Sequence, residues 1–476
     1  MNDRTSLWGK QIGSATRPAA LVAVATLLAA CASAPSFDQP DASFNGSISV
    51  VDTPLVVPGT EVKLAGRNFK PGQEVQLSYA GVALGNTPVI AGADGTFRTQ
   101  LSVPATAKVG QHPVVVNVAK PAAALVYPLK VSPDLPLSGQ DRFNVSSQKL
   151  VPGLYQSAYS AKSDRIFVTS ASGRPPVTQS QLVKVNPQTL AIEARATPPA
   201  VPAAPARAGE AARNPGVYAV YGVAVDDANG TVWVTNTRQD TVAVYRQSDL
   251  ALVKQFDAGT VNHARDVIVD DKLGKAYASA TGKSHVAVFD TKTLQFVKNI
   301  EIKTGVQGAN KAFAPMSLEL DRERSKLYTV SLGTDEAAVI NTRTDQVEKV
   351  FVIEGSKTAS GVAFDGKTNR LFVASQGSDN LLIIDAGSGK TLHDVKVGAG
   401  PLNVVVDSAR GLAYVPNRAA GTVTVVSSDG KIVANLPGGT FPNHVAEDGK
   451  GSVYAINKAR GTDDPLGDRI TRITPR

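Results

Sequence analysis

An aromatic residue followed by a short β-branched or small run returns seven times in this chain. The copies are Phe167-Val168-Thr169-Ser170, Trp233-Val234-Thr235-Asn236, Tyr277-Ala278-Ser279, Tyr328-Thr329-Val330, Phe372-Val373-Ala374-Ser375, Tyr414-Val415-Pro416-Asn417 and Tyr454-Ala455-Ile456-Asn457. Their aromatic positions are spaced 66, 44, 51, 44, 42 and 40 residues apart. A period near 42–44 made only of strands points to four-stranded blades stacked around an axis, since one such unit cannot bury its faces alone. The two longer intervals need insertions, one of them the Ala/Pro-rich stretch at 198–215.

Every copy keeps one internal order. A near-continuous apolar strand comes first, as in Gly222-Val223-Ala224-Val225-Asp226 or Asp266-Val267-Ile268-Val269-Asp270. Both of its faces are expected to pack on neighbouring blades. A polar turn, the aromatic strand, an alternating third strand such as Thr241-Val242-Ala243-Val244 and an outer strand follow. The last copy, from Phe441, runs out of chain before a fourth strand. The segment 142–151 has strand character at Phe143-Asn144-Val145 and is predicted to supply it, closing the ring and removing two open edges. The predicted fold is all-β: a seven-bladed β-propeller over 139–476, preceded by a small Ig-like β-sandwich.

The run Val-Ala-Val-Asp, Val-Trp-Val-Thr-Asn and Asp240-Thr241-Val242-Ala243-Val244 resembles the YVTN repeat of bacterial surface and periplasmic propellers. Residues 142–476 resemble the YncE-like family, whose ending is echoed by Phe441-Pro442-Asn443, Glu447-Asp448-Gly449-Lys450 and Asp468-Arg469-Ile470. The resemblance implies a seven-bladed periplasmic propeller, and single-stranded DNA as an associated ligand. This chain departs from it by an N-terminal lipobox, an additional β-module and the 198–215 insertion.

Residues 45–133 have a different texture. Strands are predicted at 47–51, 61–64, 74–78, 96–101, 113–118 and 124–131, with turns at Pro58-Gly59, Pro71-Gly72, Asp94-Gly95 and Val109-Gly110. So many short strands in so few residues fit a sandwich. The stretches Gly66-Arg67-Asn68-Phe69-Lys70-Pro71-Gly72 and Asp94-Gly95-Thr96-Phe97 resemble bacterial Ig-like modules of the IPT/TIG type. A stalk or partner-binding surface is the expected role.

The N-terminus reads as an address. Arg4, Lys10 and Arg17 precede an apolar stretch from Ala19 to Ala30, too short to span a bilayer. It ends in Leu28-Ala29-Ala30-Cys31, which resembles the bacterial lipobox. That implies removal of residues 1–30 and lipidation of Cys31, the chain's one cysteine. The expected location is the outer membrane, facing the periplasm or the surface. Several acyl chains anchor stably where one does not. The segment 31–44, rich in Ala, Ser, Pro and Asp, reads as a flexible tether. A single cysteine also excludes a disulfide framework and multi-cysteine zinc sites.

The chain carries 49 Lys and Arg against 41 Asp and Glu, a net charge of +8. Losing three basic residues and Asp3 with the leader lowers it to +6. What matters is where that surplus lies. Propeller function resides in loops. Repeat register assigns one face the loops entering each first strand and those joining strands two and three. Tyr221, Arg238, His263, Arg265, Arg418, His444, Lys458 and Arg460 fall on it and form the candidate ligand set, with Arg174, Lys283, Lys311 and Lys357 nearby. Asp240, Asp335, Glu336 and Asp379 are the acidic counterweights on that face. The positive surplus suggests an anionic or polyanionic ligand, and Tyr221 is assigned to stack on a base or sugar. The 198–215 insertion enters such a loop, as a lid or as a decoration.

No His-Glu-x-x-His helix and no Gly-x-Ser-x-Gly elbow occurs. Asp226, Asp270, Asp365 and Asp407 end first strands on the opposite face, where turn capping explains them. No catalytic residue, metal site or cofactor is assigned. Three functions stand: an envelope binding protein or scaffold for an anionic polymer, glycan or protein; a lactonase-type hydrolase working at the channel mouth; and envelope assembly through protein partners of the sandwich.

Overall fold

The computed structural model describes residues 40–203, 214–308 and 311–476. Cys31, the lipobox and Arg207, Glu210 and Arg213 of the insertion lie outside them.

Among the described residues, seven four-stranded antiparallel sheets follow one another along the chain. The second is typical: Val223–Asp226, Thr231–Asn236, Thr241–Arg246 and Leu252–Gln255 pair in that order. The seventh takes three strands from the C-terminus and one from far upstream. Phe143–Lys149 pairs antiparallel with Arg469–Pro475, so the strand predicted at 142–151 joins the sheet that lacked one. The first strands pack in succession, and Leu154–Ser160 of the first sheet also packs against Pro442–Glu447 of the seventh.

The repeated residues explain this local structure. Trp233, Tyr277, Phe372, Tyr414 and Tyr454 are buried between sheets, each removing an aromatic body from water for roughly 1.5–3 kcal/mol. The aspartates ending first strands cap the next turn: Asp226 Oδ1 accepts from Asn229 N at 3.0 Å and Asp407 Oδ1 from Arg410 N at 3.1 Å.

One irregularity recurs where a site can form. The pairing of first with second strand shifts register at 154/157, 264/267, 315/318, 359/361 and 442/444. A bulge bends its strand and re-aims side chains. All five shifts lie at the strand's entry end. They therefore set the direction of Gln156, Arg265, Asp266 and Asn443.

Residues 47–131 form two sheets. One pairs Ser47–Val51, Glu61–Arg67 and Phe97–Ser102; the other is built on Glu74–Tyr79, Gly110–Ala119 and Ala123–Val131, with short strands Val82–Ala83 and Val89–Ile90. Val62, Leu64, Phe69, Val75, Leu77, Phe97 and Val116 make one shared core. The end of the predicted tether is docked rather than free. Phe44 packs edge-on against Phe69 at 5.5 Å, and Asp41 pairs with Lys70 at 2.7 Å. An apolar ring beside an exposed core edge explains the difference.

This unit is fastened to the sheets that follow. Lys130 Nζ lies 2.6 Å from Asp379 Oδ1 and also donates to the Gln376 carbonyl. Asn435 holds the connecting segment, donating from Nδ2 to Leu135 O at 3.0 Å and exchanging backbone hydrogen bonds with Ser138.

Candidate functional site

Two aromatic rings organise the basic face. Lys458 Nζ sits 3.7 Å from the centroid of Tyr155, and Arg418 and Arg460 lie 5.0 Å and 5.1 Å from that of Phe441. These are cation–π distances. Asn443 ties the two together: it accepts from Arg418 Nη1 and donates to Tyr155 O at 2.8 Å. Side chains of the sixth, seventh and first sheets thereby meet. Beside them a cleft of about 760 Å3 opens, lined by Arg418, Thr440, Phe441, Arg460, Asp464 and Leu466 among others. Phe441 has φ 46°, a left-handed backbone that costs an aromatic residue of order 1–3 kcal/mol. Such strain marks a position held by its surroundings.

Arg265 is the hub toward the axis. It bears electrostatically on His444, Arg418 and His263, which come from three different segments of the chain. His444 Nδ1 accepts from Ser157 N at 3.3 Å. Burial, with Arg265 beside it, pushes the imidazole down to about 3, so His444 is neutral at neutral pH. Burial also lowers His263, with Arg238 and Arg265 acting the same way against the nearby Asp240. Burial lowers Arg418 from its usual value as well.

Pairwise contacts and charge effects link the predicted residues to one another and to the two rings, but Tyr221 does not take the part assigned to it. Only 6% of it is exposed, and its ring stands edge-on to Tyr155 with centroids 4.3 Å apart. Ala171, Val177 and Ala219 cover it. A base cannot stack there. Arg238 lies beside its hydroxyl, which burial raises above its usual range.

The acidic counterweights are also reassigned. Asp240 Oδ1 accepts from His263 N at 2.7 Å, and Asp379 Oδ1 accepts from Gly400 N at 2.7 Å. Glu336 accepts from Thr304 Oγ1 at 2.6 Å and Gly305 N at 2.8 Å. These carboxylates bind one sheet to the next.

Sequence reasoning did not single out Tyr155 or Phe441 as ring platforms, nor Asn443 as their link. It also missed Glu319, on the first strand of the fourth sheet. At the position paired with the aromatic residue, other sheets carry Ala158, Ile268, Ala363 or Val405. Burial pushes Glu319 up to about 8. Glu447 of the seventh sheet adds to the rise, which places both carboxyls toward the axis. The visible signal was a charged residue at a strand position that is apolar in the other copies. Among the described residues no three His, Cys, Asp or Glu side chains converge as a metal-binding group.

No family model matches this chain. It is similar to the protein called YncE of Salmonella typhi, with 23% identity over 325 residues, covering 65% of this chain and 84% of the relative. YncE of Escherichia coli O157:H7 is 24% identical over 255 residues, covering 51% and 65%. Among solved structures, a streptogramin B lyase aligns with a TM-score of 0.53 at 11% identity, covering 71% of this chain and all of that one. Virginiamycin B lyase from Staphylococcus aureus aligns at 0.52 and 12% identity, covering 70% and 100%. Hydrazine synthase of Kuenenia stuttgartiensis aligns at 0.52 and 17%, covering 65% and 94%. These likenesses establish an all-β, propeller-type fold and a distant relationship to YncE proteins.

Proposed function

We propose that this chain is a lipid-anchored envelope protein whose propeller binds an anionic ligand on its basic loop face. In this reading the four-stranded sheets form a closed ring of seven blades, the 45–133 unit is an Ig-like module of the IPT/TIG type, and Cys31 carries the anchor at the outer membrane. One observation carries the binding reading: Arg418, Arg460 and Lys458 are gathered over two aromatic rings beside an open cleft. Cations over ring faces suit a ligand that offers both negative charge and flat surface. Single-stranded DNA and acidic glycans are candidates, and envelope proteins are candidate partners of the N-terminal module. Fluorescence-anisotropy titration with labelled oligonucleotides and anionic glycans, repeated over a salt series, tests it. Saturable binding that weakens with salt is expected; no binding at low salt overturns the reading.

Glu319 favours a second reading, a lactonase-type hydrolase at the channel. A carboxyl near 8 is suited to proton transfer around neutral pH. Lactone turnover by the purified chain, lost in Glu319→Gln, would favour it over binding alone.

A further inference from the structure

The unit at 47–131 contains a cavity of about 360 Å3 between its two sheets. Leu101, Val103, Val114, Leu129 and Val131 line it, and all are buried. Three of its polar residues, Tyr79, Lys108 and His112, cluster together. His112 Nε2 lies 2.7 Å from Lys108 O and Nδ1 lies 3.0 Å from the Tyr79 hydroxyl. A carbonyl can only accept, so Nε2 carries a proton, and Nδ1 pairs with the Tyr79 hydroxyl. Both ring nitrogens are therefore engaged within the protein. The tyrosine oxygen keeps free lone pairs, and Lys108 of the same cluster is exposed. An apolar chamber of this size with a few polar groups is the usual form of a small-molecule site. The cation selects the head group.

We infer that this cavity binds a single acyl chain bearing a carboxylate, with the hydrocarbon between the sheets and the head group on Lys108. A single hydrocarbon chain needs little width, which suits a cavity between two packed layers. Each buried CH2 contributes about 0.8 kcal/mol, so affinity should rise with chain length until the cavity is filled. The site stands at the junction with the rest of the molecule. Lys130, between the wall residues Leu129 and Val131, is the side chain that reaches Asp379. The inference is independent of the anionic ligand proposed for the basic face.

The test uses the full chain and a neutral apolar dye, N-phenyl-1-naphthylamine, displaced by decanoate. Wild type is expected to bind the dye and release it to decanoate, with decanol at least fivefold weaker. Ala107→Phe, at the cavity wall, should abolish dye binding; Thr106→Trp at its exposed edge is the second variant in case the first fails to fold. Lys108→Glu should weaken decanoate at least fivefold and leave decanol unchanged. Arg418→Ala, in the other site, should change neither. Absence of dye binding by wild type, or decanoate displacement unaltered in a folded Ala107→Phe or Thr106→Trp chain, overturns the inference. Equal binding of decanol and decanoate overturns the assignment of the head group to Lys108.

Discussion

Asp468 Oδ1 accepts a hydrogen bond from the backbone N–H of Gly153 at 2.8 Å, joining the last four-stranded sheet to the first across 315 residues of sequence. The same carboxylate oxygen accepts from Ala459 N at 3.1 Å. Asp379 to Gly400 and Asp240 to His263 repeat the device between other sheets, and each of these aspartates has a left-handed backbone, with φ between 51° and 55°. A short acidic residue suits that conformation, because its side chain can turn back onto local backbone groups.

Asp468→Ala strands one buried and one part-buried N–H group and should destabilise the chain by about 2 kcal/mol. Asp468→Asn keeps an acceptor oxygen and a residue that tolerates positive φ, so it should cost less than half as much. Chemical denaturation of the two variants beside wild type measures both. Equal losses would mean that charge, rather than the acceptor geometry, ties the last sheet to the first.

Arg418 and Arg460 share one ring, so their contributions to binding should be coupled. Each single alanine variant is expected to weaken an anionic ligand about tenfold, or ~1.4 kcal/mol. Phe441→Ala should reproduce much of either loss without removing a charge, because it removes the ring that both guanidiniums face. For an oligonucleotide, the salt dependence should shrink with each lost arginine and stay unchanged in Phe441→Ala. Anisotropy titrations at three salt concentrations separate the two effects.

The periodic part of the molecule was legible because burial repeats. Trp233, Tyr277 and Tyr414 recur at one strand position, since each must fill the same gap between sheets. The upstream strand was legible from arithmetic alone: the last copy lacked room, and Phe143-Asn144-Val145 had the right pattern. The site was legible only as a face. Register assigned Arg418, Lys458 and Arg460 to common loops, but not to particular rings. Tyr221 failed for a related reason. Its loop is packed under Val177 and Ala219, which come from irregular segments that no period describes. Asp379 and Asp240 looked like surface charge because a one-dimensional reading does not separate an aspartate facing water from one turned onto the next sheet.

Glu319 gives the protein a pH dependence of definite sign. Its carboxyl titrates near 8 when folded and near 4.5 when unfolded. Between those values the folded chain holds a proton that the unfolded chain has released, so stability falls as pH rises through that window. Glu319→Gln removes the linkage. Wild type should lose stability from pH 5 to pH 8 relative to the variant, by an amount of order 1–3 kcal/mol. Thermal melts at matched ionic strength read it. Parallel curves would mean that water in the channel keeps the carboxyl ionised. His444 acts in the opposite sense at lower pH. Held near 3 when folded, it resists protonation that the unfolded chain accepts below about 6.5, so its contribution is lost as pH falls through that window.

Lys130 is the remaining lever, because it touches a carboxylate that has little else. Asp379 is 1% exposed, accepts from Gly400 N through Oδ1, and leaves Oδ2 without a partner among the described residues. Removing the ammonium at 2.6 Å leaves a buried charge with one backbone donor. Lys130→Ala should therefore cost about 2–4 kcal/mol of attachment between the two parts of the chain, while each part keeps its own core. The connecting segment would then be held mainly by Asn435 and Ser138. Limited proteolysis should cut within 132–138 at least tenfold faster in Lys130→Ala than in wild type, releasing two protease-resistant fragments. Lys130→Arg, which keeps the charge, should cut at close to the wild-type rate. Rapid cleavage of the wild-type chain at the same place would show that the contact does not hold the two parts together in solution.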